Sequence, residues 1–415
     1  MGAVEEVCAN NGKPGVDGIT CKDFKQIFHK NYSNCKLLRD YLFSSNYKHS
    51  AIRRVYIPKD NGDKRPLGIP TVKDRVMQQA VARVLSAHYD KTFSDGSCGY
   101  RPNRGCHDAL RRAWKFLNQG YVYVIDMDLA KFFDTVNHRI IKQTLHELTG
   151  DMEVVKLVHR FLIAGILDNG KKTVPQMGMP QGGPISPILS NILLNRLDKE
   201  LDSRGLNFVR YADDVMIFCK SLKAANRVNE SVTRFIEGVL DLKVNREKTK
   251  VSYINRELKY LGHCFYLKKS GKFTVNMGIH KKSREKLIDK VRHLLHRSAR
   301  GGIKVVAKKL KEYLTGWYNY YRHTWIFSYS WTLSADEFIR RRIRSMLWRQ
   351  WKTPQNRKKK LLQLNPKFKG KIPWSGRRRY RFCSSLLNSA LTNEALAKAG
   401  FTWLNLIHRE YLNKN

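Results

Sequence analysis

Apolar positions recur along this chain in two patterns, and the switch between them divides it. Up to about residue 267, short apolar runs alternate with stretches of helical spacing. Val55-Tyr56-Ile57-Pro58, residues 121–125 (YVYVI) and residues 259–267 (KYLGHCFYL) read as strands, and LKVNREKTK, residues 242–250, reads as a strand-and-turn segment. Helical spacing marks Val4, Val7 and Cys8, then residues 22–43, then Asp74 to His88 through Val76, Val81, Val84 and Leu85. It returns at Ile188, Leu189, Ile192, Leu193, Leu197 and Leu201, with Ser186 as the expected N-cap and Pro187 in the first turn, and again over residues 226–240. From Ser283 three longer apolar stripes follow: Leu287, Ile288, Val291, Leu294 and Leu295; Leu310, Leu314, Trp317 and Tyr321; Ile339, Ile343, Met346 and Leu347. Strands interleaved with helices, then helices alone, predict an α+β sheet backed by helices and a small helical bundle after it. Trp317 and Tyr321 lie on their stripe and are expected to pack inward, whereas Tyr318 lies off it.

One stretch differs from the others. In Asn207 to Lys220 the apolar pairs and runs Phe208-Val209 and Val215 to Phe218 flank Asp213 and Asp214. This predicts a β-hairpin with two carboxylates at its tip. A second acidic site ends the apolar strand at residues 121–125: Asp126 and Asp128 share one face, because strand side chains repeat every second residue. Periodicity alone leaves open which of the two acts. Acids inside apolar runs are costly unless paired or metal-bound, and clustered carboxylate oxygens suit a hard divalent cation such as Mg²⁺. If the two strands are neighbours, Asp128, Asp213 and Asp214 converge and can hold two Mg²⁺, one activating a 3′-hydroxyl and one neutralising a leaving pyrophosphate.

Charge narrows the partner. With 78 Lys and Arg against 35 Asp and Glu, the 415 residues carry a formal net charge of +43, far beyond what solubility requires, which points to nucleic acid. From Phe338 to Asn393 there are 17 Lys and Arg and no acid, with local peaks at Arg357 to Lys360 and Arg377 to Arg379. No apolar run has the length of a membrane span. The eight cysteines are scattered without a CxxC pair, which fits reduced intracellular thiols. Two loops add candidate contacts. Lys59, Lys64 and Arg65 cluster about an Asn61-Gly62 turn and are placed to grip a triphosphate. Gln181-Gly182-Gly183 makes a tight loop in which Gln181 can hydrogen-bond a base or sugar. A Walker A loop and a GxGxxG turn are both missing, so neither of those nucleotide folds is supported.

Taken in order, the motifs NGKPGVDG, IPKDNGDKRPLGIPT, GYRPNRGCHDAL, DMDLAKFFD, GMPQGGPISP, RYADD, LKVNREKT, YLGH and GWYNYYR resemble those of bacterial group II intron reverse transcriptases (maturases) over nearly the whole chain. The resemblance implies a right-hand polymerase: fingers with an N-terminal extension (1–50), fingers and palm (51–280), a helical thumb or maturase region (281–350) and a basic DNA-binding tail (351–415). It makes Asp128 the metal ligand in preference to Asp126, with Asp213 as the other principal ligand and Asp214 completing the triad. Phe133 then corresponds to the aromatic that crowds the sugar 2′-position and favours dNTPs. Lys59 and Arg65 correspond to triphosphate contacts, Gln181 and Gly182 to the nucleotide-binding loop, and Lys248 to a proton donor to pyrophosphate. The implied activity copies an RNA template from a DNA or RNA primer with two Mg²⁺, alongside binding of the host intron RNA and target DNA in a bacterial cytoplasm. The alternatives are a splicing-only maturase, or a retron, diversity-generating or CRISPR-associated reverse transcriptase. The short segment before PGVDG leaves little room for the upstream helix of this family, and no Cys/His endonuclease segment follows. Second-site DNA cleavage by this chain is therefore not expected.

Overall fold

The computed structural model describes residues 2–28, 32–44, 47–58, 62–268, 273–296, 301–369 and 384–414. The expected contact Lys59, the turn residue Asn61, Cys383 and the basic run Arg377 to Arg379 lie outside the described residues. Two compact units divide the chain, residues 1–254 and 255–415.

The first unit begins with α1 (Gly2–Ala9), α2 (Cys21–Phe28) and α3 (Tyr32–Phe43), so the stretch expected as one helix over 22–43 is described as two. Strands β1 (Ile52–Pro58) and β2 (Lys64–Ile69) form an antiparallel hairpin, with Ile57 opposite Arg65. Then come α4 (Val72–Tyr89), α5 (Cys106–Asn118), β3 (Tyr123–Met127), α6 (Phe132–Thr135), α7 (His138–Thr149) and α8 (Met152–Leu162). Strands β4 (Ile166–Asp168) and β5 (Lys171–Thr173) add to the first hairpin in the order β2-β1-β4-β5. Helix α9 (Ser186–Ser203) is followed by β6 (Asn207–Tyr211), β7 (Asp214–Cys219), α10 (Leu222–Val239) and β8 (Lys250–Tyr253). These strands make an antiparallel sheet in the order β6-β7-β3-β8, which puts the acidic strand at its centre. Helices α9 and α10 present Leu193, Leu197, Val228, Val232 and Ile236 to a core shared with Ile125, Val215 and Ile217, all buried. Strand β7 is buried from Val215 through Cys219 and α10 carries one apolar stripe, and packing helices on the sheet covers both. This is the α+β class read from the sequence.

Helix α9 departs from expectation by one residue. Its N-cap is Ile185, and Ser186 has entered the first turn beside Pro187. The Ser186 hydroxyl donates instead to the Pro180 carbonyl at 2.8 Å, tying the Gln181-Gly182-Gly183 loop closed.

In the second unit β9 (His263–Leu267) pairs with β10 (Val275–Ile279), a strand the sequence reading did not include. Helices α11 (Lys281–Leu294), α12 (Gly302–Tyr321) and α13 (Trp325–Gln350) form the expected bundle. Their core continues into α14 (Pro354–Leu364), α15 (Ser384–Ala390), α16 (Asn393–Lys398) and α17 (Leu404–Leu412), through Leu361, Leu387, Leu396 and Ile407. Tyr318, expected to lie off the packed face, is instead almost fully buried. Helix α17 covers that side of α12, bringing His408 within 2.8 Å of the Tyr318 hydroxyl, so α12 is apolar on two faces rather than one. No helix among the described residues is long and apolar enough to cross a membrane.

Candidate active site

The acidic residues meet through strand pairing. Met127 of β3 stands opposite Val215 of β7 and Asp126 opposite Met216. Asp126 and Asp214 are thus diagonal neighbours on one sheet face, and Asp128 leaves the end of β3 beside the start of β7. On the other flank of β3, Lys250 of β8 is opposite Asp126. The β6–β7 hairpin closes with Tyr211 paired to Asp214, so Ala212 and Asp213 form a two-residue turn. Ala212 sits at φ +59°, a left-handed conformation that a non-glycine residue holds only when its surroundings enforce it.

Those surroundings are specific. Arg210, fully buried, donates Nε and one terminal nitrogen to both carboxylate oxygens of Asp198 on α9, equally buried. The remaining guanidinium hydrogens go to Asn191 Oδ1 (3.0 Å), Ser97 Oγ (2.8 Å) and the carbonyl of Ala212 (3.0 Å). Beneath the turn, Gly99 approaches so closely that a Cβ there would lie 2.3 Å from the Ala212 nitrogen. Neither Asp198 nor Arg210 was singled out from the sequence. A trace of them is visible there: Asn191 and Asp198 are seven residues apart, on the same helical side as the apolar Leu194 and Leu201.

Residues 243–249 strap the end of β3. Ala130 N donates to Lys243 O, Asn245 N donates to Asp128 O (both 2.8 Å), and Asp128 N donates to Thr249 Oγ1 (3.2 Å). This brings Lys248 Nζ within 3.7 Å of Asp128 Oδ2, with both side chains reaching solvent. Next, Lys131 at φ +49° turns the chain into α6, burying Phe132 and leaving Phe133 half-buried. The Phe133 carbonyl accepts from Met179 N at 2.6 Å, which ties α6 to the Gln181 loop. That loop docks on β2: Gly68 N donates to Gln181 O at 2.7 Å, and Gly182, at φ +111°, lies so close that a Cβ would be 2.5 Å from the Gly68 carbonyl. Arg54, Pro66, Phe133, Met177 and Gln181 thereby line one cavity. Arg65 is exposed, yet its charge is near enough to act on both Asp213 and Tyr100.

The acids strain one another. Burial, then the charges of Asp214 and Asp128, push Asp126 up to about 6, with Lys250 only partly offsetting them. Burial, with Asp128 adding to it, also lifts Asp213 above the usual carboxylate range, against the pull of its own backbone amide, Arg65 and Arg210. Carboxylates that resist ionisation because they are buried and, secondarily, face one another fit a divalent cation, whose charge would offset both effects. Among the described residues no three His, Cys, Asp or Glu side chains already form an ion-holding group.

The raised Asp126 gives a measurable pH dependence. A carboxyl held above its unfolded value stabilises the fold below about pH 4 and loses that contribution as pH rises through about 6. The full rise corresponds to about 3 kcal/mol, and partial solvent access reduces this to roughly 1–2 kcal/mol. In chelator, Asp126→Asn is therefore expected to melt higher than the parent by a margin that grows between pH 4.5 and 7.5 and shrinks when Mg²⁺ is added. Calorimetric scans at the two pH values check this; a constant margin would refute the linkage.

Residues 57–265 match the reverse transcriptase (RNA-dependent DNA polymerase) family, half of the chain. The chain belongs to the reverse transcriptase family. Residues 284–364 match the group II intron maturase-specific domain. The polymerase is 33% identical over 296 residues to protein YkfC of Escherichia coli, covering 62% of this chain and 77% of that one. It is 28% identical to the group II intron-encoded protein LtrA of Lactococcus lactis, covering 55% and 49%. The putative COX1/OXI3 intron 2 protein of Saccharomyces cerevisiae is 27% identical, with 55% and 33% covered. The chain thus spans about half the length of LtrA and a third of the yeast protein. These matches favour the RNA-directed DNA polymerase with a maturase region over the retron, diversity-generating and CRISPR-linked readings.

Proposed function

We propose that this polymerase extends a DNA or RNA primer along an RNA template with dNTPs, and that it binds its host intron RNA to assist splicing and mobility at target DNA. The observation that carries this reading is the pairing of β3 with β7, which makes Asp128 a neighbour of the Asp213–Asp214 turn. In this reading Asp128, Asp213 and Asp214 would hold Mg²⁺, with Asp128 and Asp213 as the principal ligands. Two ions bound there would supply activation of the 3′-hydroxyl and neutralisation of the leaving pyrophosphate. The protein's own task is positioning. Lys59 and Arg65 hold the triphosphate, while Gln181 and Gly182 set the nucleotide against the cavity wall. Lys248, tethered only loosely to Asp128 at the surface, is available to deliver a proton to the leaving group. By the same reading residues 1–50 extend the fingers, 51–280 form fingers and palm, 281–350 the thumb and 351–415 a basic DNA-contacting tail, working in the cytoplasm.

Phe133 lines the same cavity as Gln181, where a ring would exclude a ribose 2′-hydroxyl. The test is primer extension on poly(rA) with Mg²⁺, comparing dTTP with UTP. Incorporation of dTTP is expected from the parent, and Phe133→Ala should raise the UTP-to-dTTP ratio of kcat/KM by at least about tenfold. Loss of dTTP use with no gain for UTP would remove Phe133 from the gate, and an inactive parent would remove the polymerase reading itself.

A further inference from the structure

The second unit contains a cavity that none of the roles above uses. Helix α13 presents Ser334, Glu337, Phe338, Arg341 and Arg344 at successive turns of one face, and across from them stand Asn388 of α15 and Asn393 of α16. The space between is about 440 Å³, within the range of small-molecule sites. Its floor is preorganised: the buried Arg344 donates Nε to the Leu391 carbonyl at 2.8 Å and a terminal nitrogen to Asn393 Oδ1 at 3.1 Å. On its wall the Phe338 ring has the Arg341 guanidinium 5.7 Å from its centroid, and the Arg292 guanidinium, which does not line the cavity, lies 5.5 Å from the same ring.

The chemistry of this lining restricts the occupant. Arg340 and Arg341 are donors only and call for an anion with several acceptor oxygens, as a phosphodiester has. Glu337 is acceptor-only when ionised, so beside those guanidiniums it calls for N–H donors on the same ligand. The planar guanidinium of Arg341, beside the Phe338 ring, offers a surface for a flat ring. An anion, a flat ring and N–H donors together describe a nucleotide. Among the bases, guanine alone presents an imino and an amino hydrogen side by side, which one carboxylate can accept together. The sequence from Phe338 to Asn393 carries 17 Lys and Arg and no acid, a charge balance that attracts a polyanion.

We propose that this cavity takes an unpaired guanosine of a bound RNA, with its phosphate on Arg340 and Arg341 and its base edge on Glu337. The proposal rests on the reading of the chain as an RNA-binding polymerase and names a subsite for that RNA. Two fluorescent RNA octamers test it with the full chain, UUUGUUUU and UUUAUUUU, by anisotropy at several salt concentrations. The parent is expected to bind the guanine-containing octamer roughly tenfold more tightly, in line with a good bidentate contact. Glu337→Gln should bring that preference below about threefold while melting like the parent. Arg341→Ala should weaken both octamers and flatten the log K against log salt slope by about 0.7, the share of one single-strand phosphate. Equal binding of the two octamers by the parent, or a guanine preference kept by a well-folded Glu337→Gln, overturns the base assignment. An unchanged slope in Arg341→Ala overturns the phosphate contact. Primer extension on poly(rA), which contains no guanine, reads the polymerase assignment separately.

Discussion

Asp213→Ala is expected to remove primer extension by about 10³-fold or more while leaving the fold as stable as before. The two halves of that statement have one cause. Asp213 sits in a buried turn near Asp128, and this surrounding raises its proton affinity above that of an ordinary carboxyl. A charge held against burial and a like neighbour contributes nothing to the stability of the metal-free chain, so its deletion costs no unfolding free energy. Catalysis depends on the same charge in the opposite sense. Phosphoryl transfer requires little covalent chemistry from the protein, and most of the rate enhancement comes from cations fixed where negative charge develops. A single lost preorganised electrostatic contact costs on the order of 10²–10³ in kcat, and loss of a metal ligand removes more than one such contact. The measurement is single-turnover extension on an RNA template at saturating Mg²⁺, together with a melting curve. Activity within tenfold of the parent would take Asp213 out of the metal set. Intron splicing that survives in the same variant would separate the maturase function from cDNA synthesis.

Much of this site was legible because the elements carrying it obey simple periods. The hairpin around Asp213 and Asp214 is announced by apolar runs on both sides of an acidic pair, and its turn falls where those runs stop. The neighbouring placement of β3 and β7 was a condition of the reading, and no local pattern supplies it, since 86 residues separate Asp128 from Asp214. Choosing Asp128 over Asp126 needed family resemblance, because both acids share the strand face and the structure keeps both near the turn. What escaped the sequence is mostly what two distant segments do for each other. Arg210 lies between Val209 and Tyr211 and looks like an ordinary strand cation until α9 brings Asp198 beneath it. The β4–β5 hairpin was missed although Asn169-Gly170, both left-handed in the structure, is a strong turn signal. Its strands are three residues each, too short to show alternation. Tyr318 was misjudged because one apolar stripe was taken as all of the buried surface of α12, whereas α17 returns from 86 residues later to cover another.

Arg210→Met should destabilise the chain and disable it, and a second substitution should divide those effects. Removing the guanidinium leaves the Asp198 carboxyl without its partner in a fully buried site, together with acceptors at Asn191, Ser97 and Ala212 that lose their donor. Stranding one member of a buried ion pair costs about 3–5 kcal/mol. For a unit of some 250 residues this lowers the melting temperature by roughly 6–20 °C. Replacing the partner as well, in Arg210→Met/Asp198→Leu, removes the uncompensated charge, and apolar replacement of whole buried pairs is often neutral or better. Most of the lost stability is therefore expected to return. Activity is not. The bond from Arg210 to the Ala212 carbonyl is the direct tether on a turn whose left-handed alanine must be held, and Asp213 is the next residue. A displacement of about 1 Å at a reacting centre costs on the order of 10²-fold in rate, so the double variant should melt near the parent yet extend primers about 10²-fold more slowly. Arg210→Lys keeps the charge but cannot make the paired contacts to Asp198 and reach Ala212 at once, and belongs between the two. Full activity in the stable double variant would show that the pair serves the core alone.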